Sequence, residues 1–318
     1  MSFSLLLLAC LLTGQETKAQ DVTDTISGTI IDTLPFFSPI IPEELPQQPA
    51  TIHKLSFREY SYLLGDNFRR QACFPFKTKA KDRQILLGLS AVATVGLLTD
   101  WETNKRLGEL RHTSSFVRVN SPVIGHMGAS YSFVVLGVTG AYGFIFKNER
   151  AQTTFLLATQ AAITTGFWTH TIKFATSRTR PNEYNRWQGP AYFFRPQKKN
   201  GDDRLWRSEF NSFPSGHTSN AFAIATVFAK MYGDIPLVPI IAYGTAGLVG
   251  LSRMIENRHW GSDVLMGAAL GYFCGSQVVN NYRKKFGLQG LGKKGKNDIT
   301  FNFDSYAGHS QFAMNYNF

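Results

Sequence analysis

Three clusters in this 318-residue chain combine side chains suited to holding and transferring a phosphoryl group. The first is KFATSRTRP, residues 173–181, with Lys173, Arg178 and Arg180 in a turn-prone segment closed by Pro181. Guanidiniums present forked donors that match phosphate oxygens, and lysine adds a point charge. Alone, such a cluster at a helix end is as readily an anchor that snorkels to lipid headgroups. The second is FPSGHTSNAF, residues 213–222, where proline, glycine and hydroxyl residues precede an apolar run. That pattern marks a helix start, whose first N–H groups have no intrahelical partner and attract anions. Gly216 admits close backbone approach, and His217 beside a bound anion is placed to give a proton. Alone, Ser215 is as readily a plain N-cap. The third is SRMIENRHWGSD, residues 252–263. His259 and Asp263 are four apart and share one side of a helix; a carboxylate taking the Nδ1 proton leaves Nε2 free as a nucleophile. Arg253 adds another guanidinium.

Helices must position these groups. Apolar runs rich in Ala, Gly, Leu, Val and Ile occupy about residues 85–99, 122–146, 154–172, 218–232, 236–251 and 264–279, and none alternates with period two. The fold expected is all-α, a bundle of about six helices with the active site at one end. A spanning helix needs roughly 20 apolar residues, which the second and third runs reach. Mean hydropathy is −0.13. A six-span membrane bundle with short helices and a water-soluble bundle in the cell envelope are both compatible, and span length favours the membrane.

Four regions follow. Residues 1–19 carry a short apolar core from Phe3 to Leu12, then a polar stretch ending at Ala19, and read as a signal peptide or N-terminal anchor. Residues 20–81 are a polar, proline-rich linker with short amphipathic segments, residues 82–281 the helical domain, and residues 282–318 a basic tail whose alternating Phe301, Phe303, Phe312, Met314 and Tyr316 suggest a β-hairpin. If a cleaved leader leaves the N-terminus outside, six spans would turn the loops carrying the three clusters, after the third and fifth helices, inward. Either the leader stays as an anchor, one run does not span, or the bundle is soluble.

A net charge of +11 and a pI near 9.6 suit an anionic partner. Zinc-finger, P-loop and RNP-like patterns are missing, which speaks against nucleic acid. Cys10, Cys73 and Cys274 form no CxxC pair, so neither a metal cage nor a disulfide framework is indicated. His53, His112 and His126 read as structural or exposed, His309 as part of the hairpin turn, and His170 as a residue one turn before Lys173. The aromatic loop 182–211 suits either a lipid-facing rim or ordinary packing.

Taken together and in order, Lys-x6-Arg-Pro (173–181), Pro-Ser-Gly-His (214–217) and Ser-Arg-x5-His-x3-Asp (252–263) resemble the motifs of the type 2 phosphatidic acid phosphatase and vanadium haloperoxidase superfamily. The resemblance covers about residues 85–279. It implies that Lys173, Arg180 and Arg253 hold phosphate oxygens with Ser215 and the Gly216 N–H. It further implies that His259 attacks phosphorus, that Asp263 orients its ring, and that His217 protonates the leaving oxygen and then activates water. Arg178, Glu256, Asn257 and Arg258 fall at positions the pattern leaves free. No metal or cofactor is implied, vanadate entering only in a haloperoxidase. The implied activity is hydrolysis of a phosphomonoester or diphosphate, most readily on an envelope lipid. A soluble periplasmic acid phosphatase acting on small phosphoesters, a vanadate-dependent haloperoxidase and a non-catalytic anion-binding scaffold are the alternatives. The implied location is a bacterial-type envelope, either the cytoplasmic membrane with the site facing the periplasm or the periplasm itself.

Overall fold

In the computed structural model, the described residues are 52–128, 130–183, 193, 211–288, 299–306 and 309–316. The leader, the linker up to residue 51 and most of the 182–211 loop lie outside them. Eight α-helices are present among the described residues: α1 Phe57–Cys73, α2 Ala80–Thr113, α3 Ser115–Met127, α4 Ser130–Ile145, α5 Glu149–Thr176, α6 Gly216–Met231, α7 Leu237–Ile255 and α8 Gly261–Phe286. The class is all-α, as the runs suggested, with more helices than runs. α1 forms inside the 20–81 stretch read as a linker with short amphipathic segments, and Ser56 and Glu59 cap it reciprocally: the Glu59 N–H donates to Ser56 Oγ at 3.3 Å and the Ser56 N–H to Glu59 Oε2 at 2.8 Å. The run 122–146 is broken into α3 and α4, which bend by 49°. Gly128 closes α3 at a close crossing, since a Cβ there would lie 2.4 Å from Val249 Cγ1 and 2.8 Å from the His217 carbonyl oxygen.

The core is built on α5, α6 and α8. Ala223 and Val227 of α6 are fully buried, as are Leu157, Ala158 and Ala161 of α5 and Val278 and Val279 of α8. α8 reaches α6 through glycines spaced by four. A Cβ on Gly271 would fall 2.1 Å from the Ser219 carbonyl oxygen, so the two backbones touch there. Small residues therefore set the interhelical distance, and that distance fixes the start of α6 against the start of α8.

α2 and α4 lie outside this core with apolar faces turned outward; Leu98 is 80% and Ile145 72% exposed. Among the described residues, two helices are long and apolar enough to cross a membrane, residues 82–113 and α7, or three if the α3–α4 pair counts as one span. At the tail, β1 Ile299–Tyr306 pairs antiparallel with β2 His309–Tyr316, placing Phe303 opposite Phe312 and Phe301 opposite Met314. His309 begins β2 opposite Tyr306, so it belongs to the ladder and not to the turn. Cys73 and Cys274 are free thiols.

Candidate active site

The three clusters converge where α5 ends and α6 and α8 begin. Lys173 occupies the last turn of α5, which closes at Ser177 in a left-handed conformation (φ 42°) and releases the chain towards Arg178 and Arg180. His217 is in the first turn of α6, Arg253 in the last turn of α7, and His259 just ahead of α8. Arg180, His217 and His259 line two adjoining cavities. One, of about 580 Å³, is also lined by Arg111, His126, Arg253 and Glu256. The other, of about 330 Å³, is lined by Lys173, His170 and Gly216. Ser215 and Asp263 are fully buried behind these walls.

His259 is 3% exposed, and its Nδ1 lies 2.8 Å from the Ser212 carbonyl oxygen. A carbonyl oxygen only accepts, so Nδ1 carries the proton and Nε2 keeps its lone pair. Asp263 Oδ2 is 3.7 Å from the same nitrogen, near enough to act by charge and too far for a hydrogen bond. The carboxylate instead accepts from the Trp260 N–H at 2.9 Å, from the Ser212 hydroxyl and from Arg178 Nη1 at 2.5 Å. The expected direct bond from His259 to Asp263 is thus replaced by a relay: Asp263 holds Ser212, and the Ser212 carbonyl holds the imidazole. Burial lowers the His259 pKa to about 4, although Asp263 pulls it upward. Burial pushes the Asp263 carboxyl up, but His259, the Arg178 guanidinium and the Ser212 hydroxyl together hold it below the usual carboxylate value.

The groups expected to hold phosphate are similarly tethered. The Lys173 ammonium donates to the Asn211 carbonyl oxygen, and its pKa falls to about 7, first through burial and then through Arg180. The Ser215 N–H is occupied, donating to the Asp263 carbonyl oxygen at 2.9 Å, and Ser215 Oγ accepts from the Thr218 hydroxyl at 2.9 Å. The first intrahelical bond of α6 runs from the Ser219 N–H to the Ser215 carbonyl oxygen. The N–H groups of Gly216, His217 and Thr218 precede it, at the positive end of the helix dipole. Arg253 pairs with Glu256 at 2.5 Å, both nearly buried. Its guanidinium crosses Gly125 of α3, where a Cβ would overlap Nη2 at 1.6 Å. Burial lowers the His217 pKa to about 4, helped by Arg253, His259, Lys173 and Arg180.

Residues 153–286 match the PAP2 superfamily. Every motif residue named above from Lys173 to Asp263 falls in that segment. A lipid A 1-phosphatase of Porphyromonas gingivalis is 52% identical over 66 residues, 20% of this chain and 15% of that protein. A probable lipid phosphate phosphatase of Arabidopsis thaliana is 32% identical over 36% of this chain and 43% of that protein. The crystal structure of a PAP2-type phosphatidylglycerolphosphate phosphatase from Bacillus subtilis aligns with a TM-score of 0.44 at 21% identity, covering 62% of this chain and 96% of that chain. The chain thus spans less than half the length of either of these two curated relatives.

Two residues outside the motif positions complete the site. Arg178 is fully buried and bridges two carboxylates, Asp263 through Nη1 and Asp100 of α2 through Nη2 at 2.7 Å. Asp100 also accepts from the Ser262 N–H at 2.8 Å, which ties α2 to the start of α8. Position alone offered a hint for Arg178, a third cation between Lys173 and Arg180. For Asp100 the hint was an acid at the very end of an apolar run, and its partner 78 residues away was invisible. Phe193, a described residue of the aromatic loop, lies 4.8 Å from Arg178 and edge-on to Phe213, so it packs inward. His170 and His126 line the two cavities. His53 stacks on Phe286 at 3.9 Å, and its role is structural.

Proposed function

We propose that this chain is a membrane-bound phosphatase that removes phosphate from a phosphomonoester or diphosphate of an envelope lipid through a phosphohistidine at His259. The observation that carries it is the His259 ring: Nδ1 is committed to the Ser212 carbonyl, which leaves Nε2 unprotonated in a cavity shared with Arg180 and His217. In the first step Nε2 attacks phosphorus, the bond to the leaving oxygen breaks, and His217 gives that oxygen a proton. In the second, His217 takes a proton from water, the hydroxide attacks phosphorus, the P–N bond breaks, and inorganic phosphate leaves. Lys173, Arg180, Arg253 and the first N–H groups of α6 bear the charge that develops on the equatorial oxygens. These cations occupy the role a divalent metal fills elsewhere, so turnover is expected to survive chelators.

His217 needs a proton to serve as the acid, and burial with the surrounding cations lowers its pKa to about 4. A bound phosphate dianion reverses the local field and raises that value, so the acid is charged when substrate is present. The lipid assignment draws on the names of the relatives and on the outward apolar faces of α2 and α4, which suit lipid tails. The site is proposed to face the periplasm.

The test is phosphate release from phosphatidate, an isoprenyl diphosphate, a lipid A-type phosphate and an aryl phosphate, with His259→Ala in parallel. Acid-labile, base-stable label on the wild-type protein and turnover reduced at least 10³-fold in the variant are expected. Equal phosphate release by the variant would refute the mechanism, and turnover confined to the aryl phosphate would refute the lipid substrate.

A further inference from the structure

A second basic cavity, of about 470 Å³, lies between the end of α1 and the C-terminal half of α8. Its residues on α8, from Phe273 to Lys284, are about 15 to 30 Å along the helix from Asp263, at 1.5 Å per residue. The walls are fixed by a buried amide network. Asn281 donates to Asp66 at 3.0 Å and to Asn67 at 2.8 Å, Asn67 donates to Gln160 at 2.8 Å, and Gln71 donates to Gln277 Oε1 at 2.9 Å. α1, α5 and α8 are thereby joined around the cavity.

Its chemistry is that of an anion site. Four cations line it, Arg69, Arg70, Lys77 and Lys284. Asp66 pairs with both arginines, at 2.9 and 2.6 Å. Lys77 and Lys284 have no carboxylate partner among the described residues. Two buried polar atoms at the same wall, Ser276 Oγ and Gln277 Nε2, have no hydrogen-bond partner among the described residues. A buried donor left unsatisfied costs about 1–3 kcal/mol, which an oxyanion in the cavity would relieve. The remaining wall is aromatic, Phe74 against Phe273 with centroids 4.6 Å apart. Phe76, two residues on, is 88% exposed.

We propose that this cavity binds the phosphate of an anionic membrane lipid in the leaflet opposite the catalytic centre. The proposal rests on the membrane assignment above and is independent of turnover. A free phosphate would use the cations and the two idle polar atoms equally well. The aromatic wall and the outward Phe57, Tyr62 and Phe76 favour a headgroup whose chains continue into a bilayer. The separation from Asp263 approaches the roughly 30 Å of a hydrocarbon core.

The full chain in detergent is titrated with phosphatidylglycerol, with phosphatidylcholine and with inorganic phosphate, reading the thermal midpoint and, by native mass spectrometry, retained lipid. Lys77→Gln/Lys284→Gln is the variant, and Ser276→Ala a second that removes an idle hydroxyl without changing charge. Phosphatidylglycerol is expected to raise the midpoint and be retained, phosphatidylcholine not. The double variant should need roughly tenfold more of it, given the attraction of each lysine near an anionic surface, and Ser276→Ala severalfold more. Equal stabilisation by both lipids, or unchanged titrations in both variants, would overturn the proposal. A full effect from inorganic phosphate alone would overturn its lipid part. Neither readout requires hydrolysis, so an inactive protein that passes would sink only the phosphatase assignment.

Discussion

Replacing Arg178 by methionine tests whether the buried bridge between Asp100 and Asp263 organises the site. Both carboxylate side chains are fully buried, as is the guanidinium between them. The variant strands two carboxylates at once. Breaking one buried pair typically costs about 3–5 kcal/mol, because the partner left behind stays desolvated and unpaired. At about 2–4 °C per kcal/mol for a chain of this size class, the thermal midpoint should fall by roughly 6–20 °C. Asp100→Asn in the same background removes one stranded charge and should recover a substantial part of the loss, whereas two independent effects would simply add. The signal is tryptophan fluorescence on heating in detergent, since Trp260 lies 5.5 Å from the guanidinium. Catalysis adds a second reading. With Asp263 no longer held from behind, Ser212 and the His259 ring lose their fixed relation, so kcat should drop more than KM rises. A midpoint within 2 °C of wild type together with unchanged kcat would show that the bridge is incidental and that the relay from Asp263 through Ser212 to His259 is wrong.

Further outcomes follow from other parts of the molecule. Lys173 has a pKa near 7 in the free protein, so it loses its charge as pH rises through that value, and kcat/KM should fall on the alkaline side; Lys173→Met should be far less active and lack that limb. Gly271→Ala places a methyl 2.1 Å from the Ser219 carbonyl and should cost about 1–3 kcal/mol in chemical denaturation, while Gly247→Ala, with nothing within 4 Å, should be neutral or stabilising. Glu256→Gln frees Arg253 from its pair and removes a negative charge from the cavity, so inhibition by vanadate or inorganic phosphate should tighten severalfold.

The all-α class was legible from the apolar runs, and the grouping of Lys173, Arg180, Gly216, His217, Arg253 and His259 from the resemblance that the three motifs carry in order, each cluster alone being equally a helix cap or an anchor. What lay beyond reach was anything set by contacts distant in sequence. His259 and Asp263 at i, i+4 suggested a direct bond. The ring turns instead to the Ser212 carbonyl, held by a loop that joins the site from outside that helix. Asp100 gave no local sign of its use, since an acid closing an apolar run is ordinarily a solvated helix end. Likewise, Gly128 did not announce that it splits one apolar run into two helices, because its requirement comes from the backbone of His217 across the interface.

α2 has 34 residues and is therefore about 51 Å long, some 20 Å more than a hydrocarbon core. Its apolar part ends at Thr99, and from Asp100 to Arg111 it is studded with charge. If α2 crosses the membrane, Asp100 marks the depth at which lipid tails give way to headgroups, and Asp100 is bonded to Ser262, the neighbour of Asp263. The phosphoryl group would then react at headgroup height. A lipid would enter by sliding sideways, without being lifted from the bilayer, and surface dilution of the substrate, more than its bulk concentration, would govern the rate.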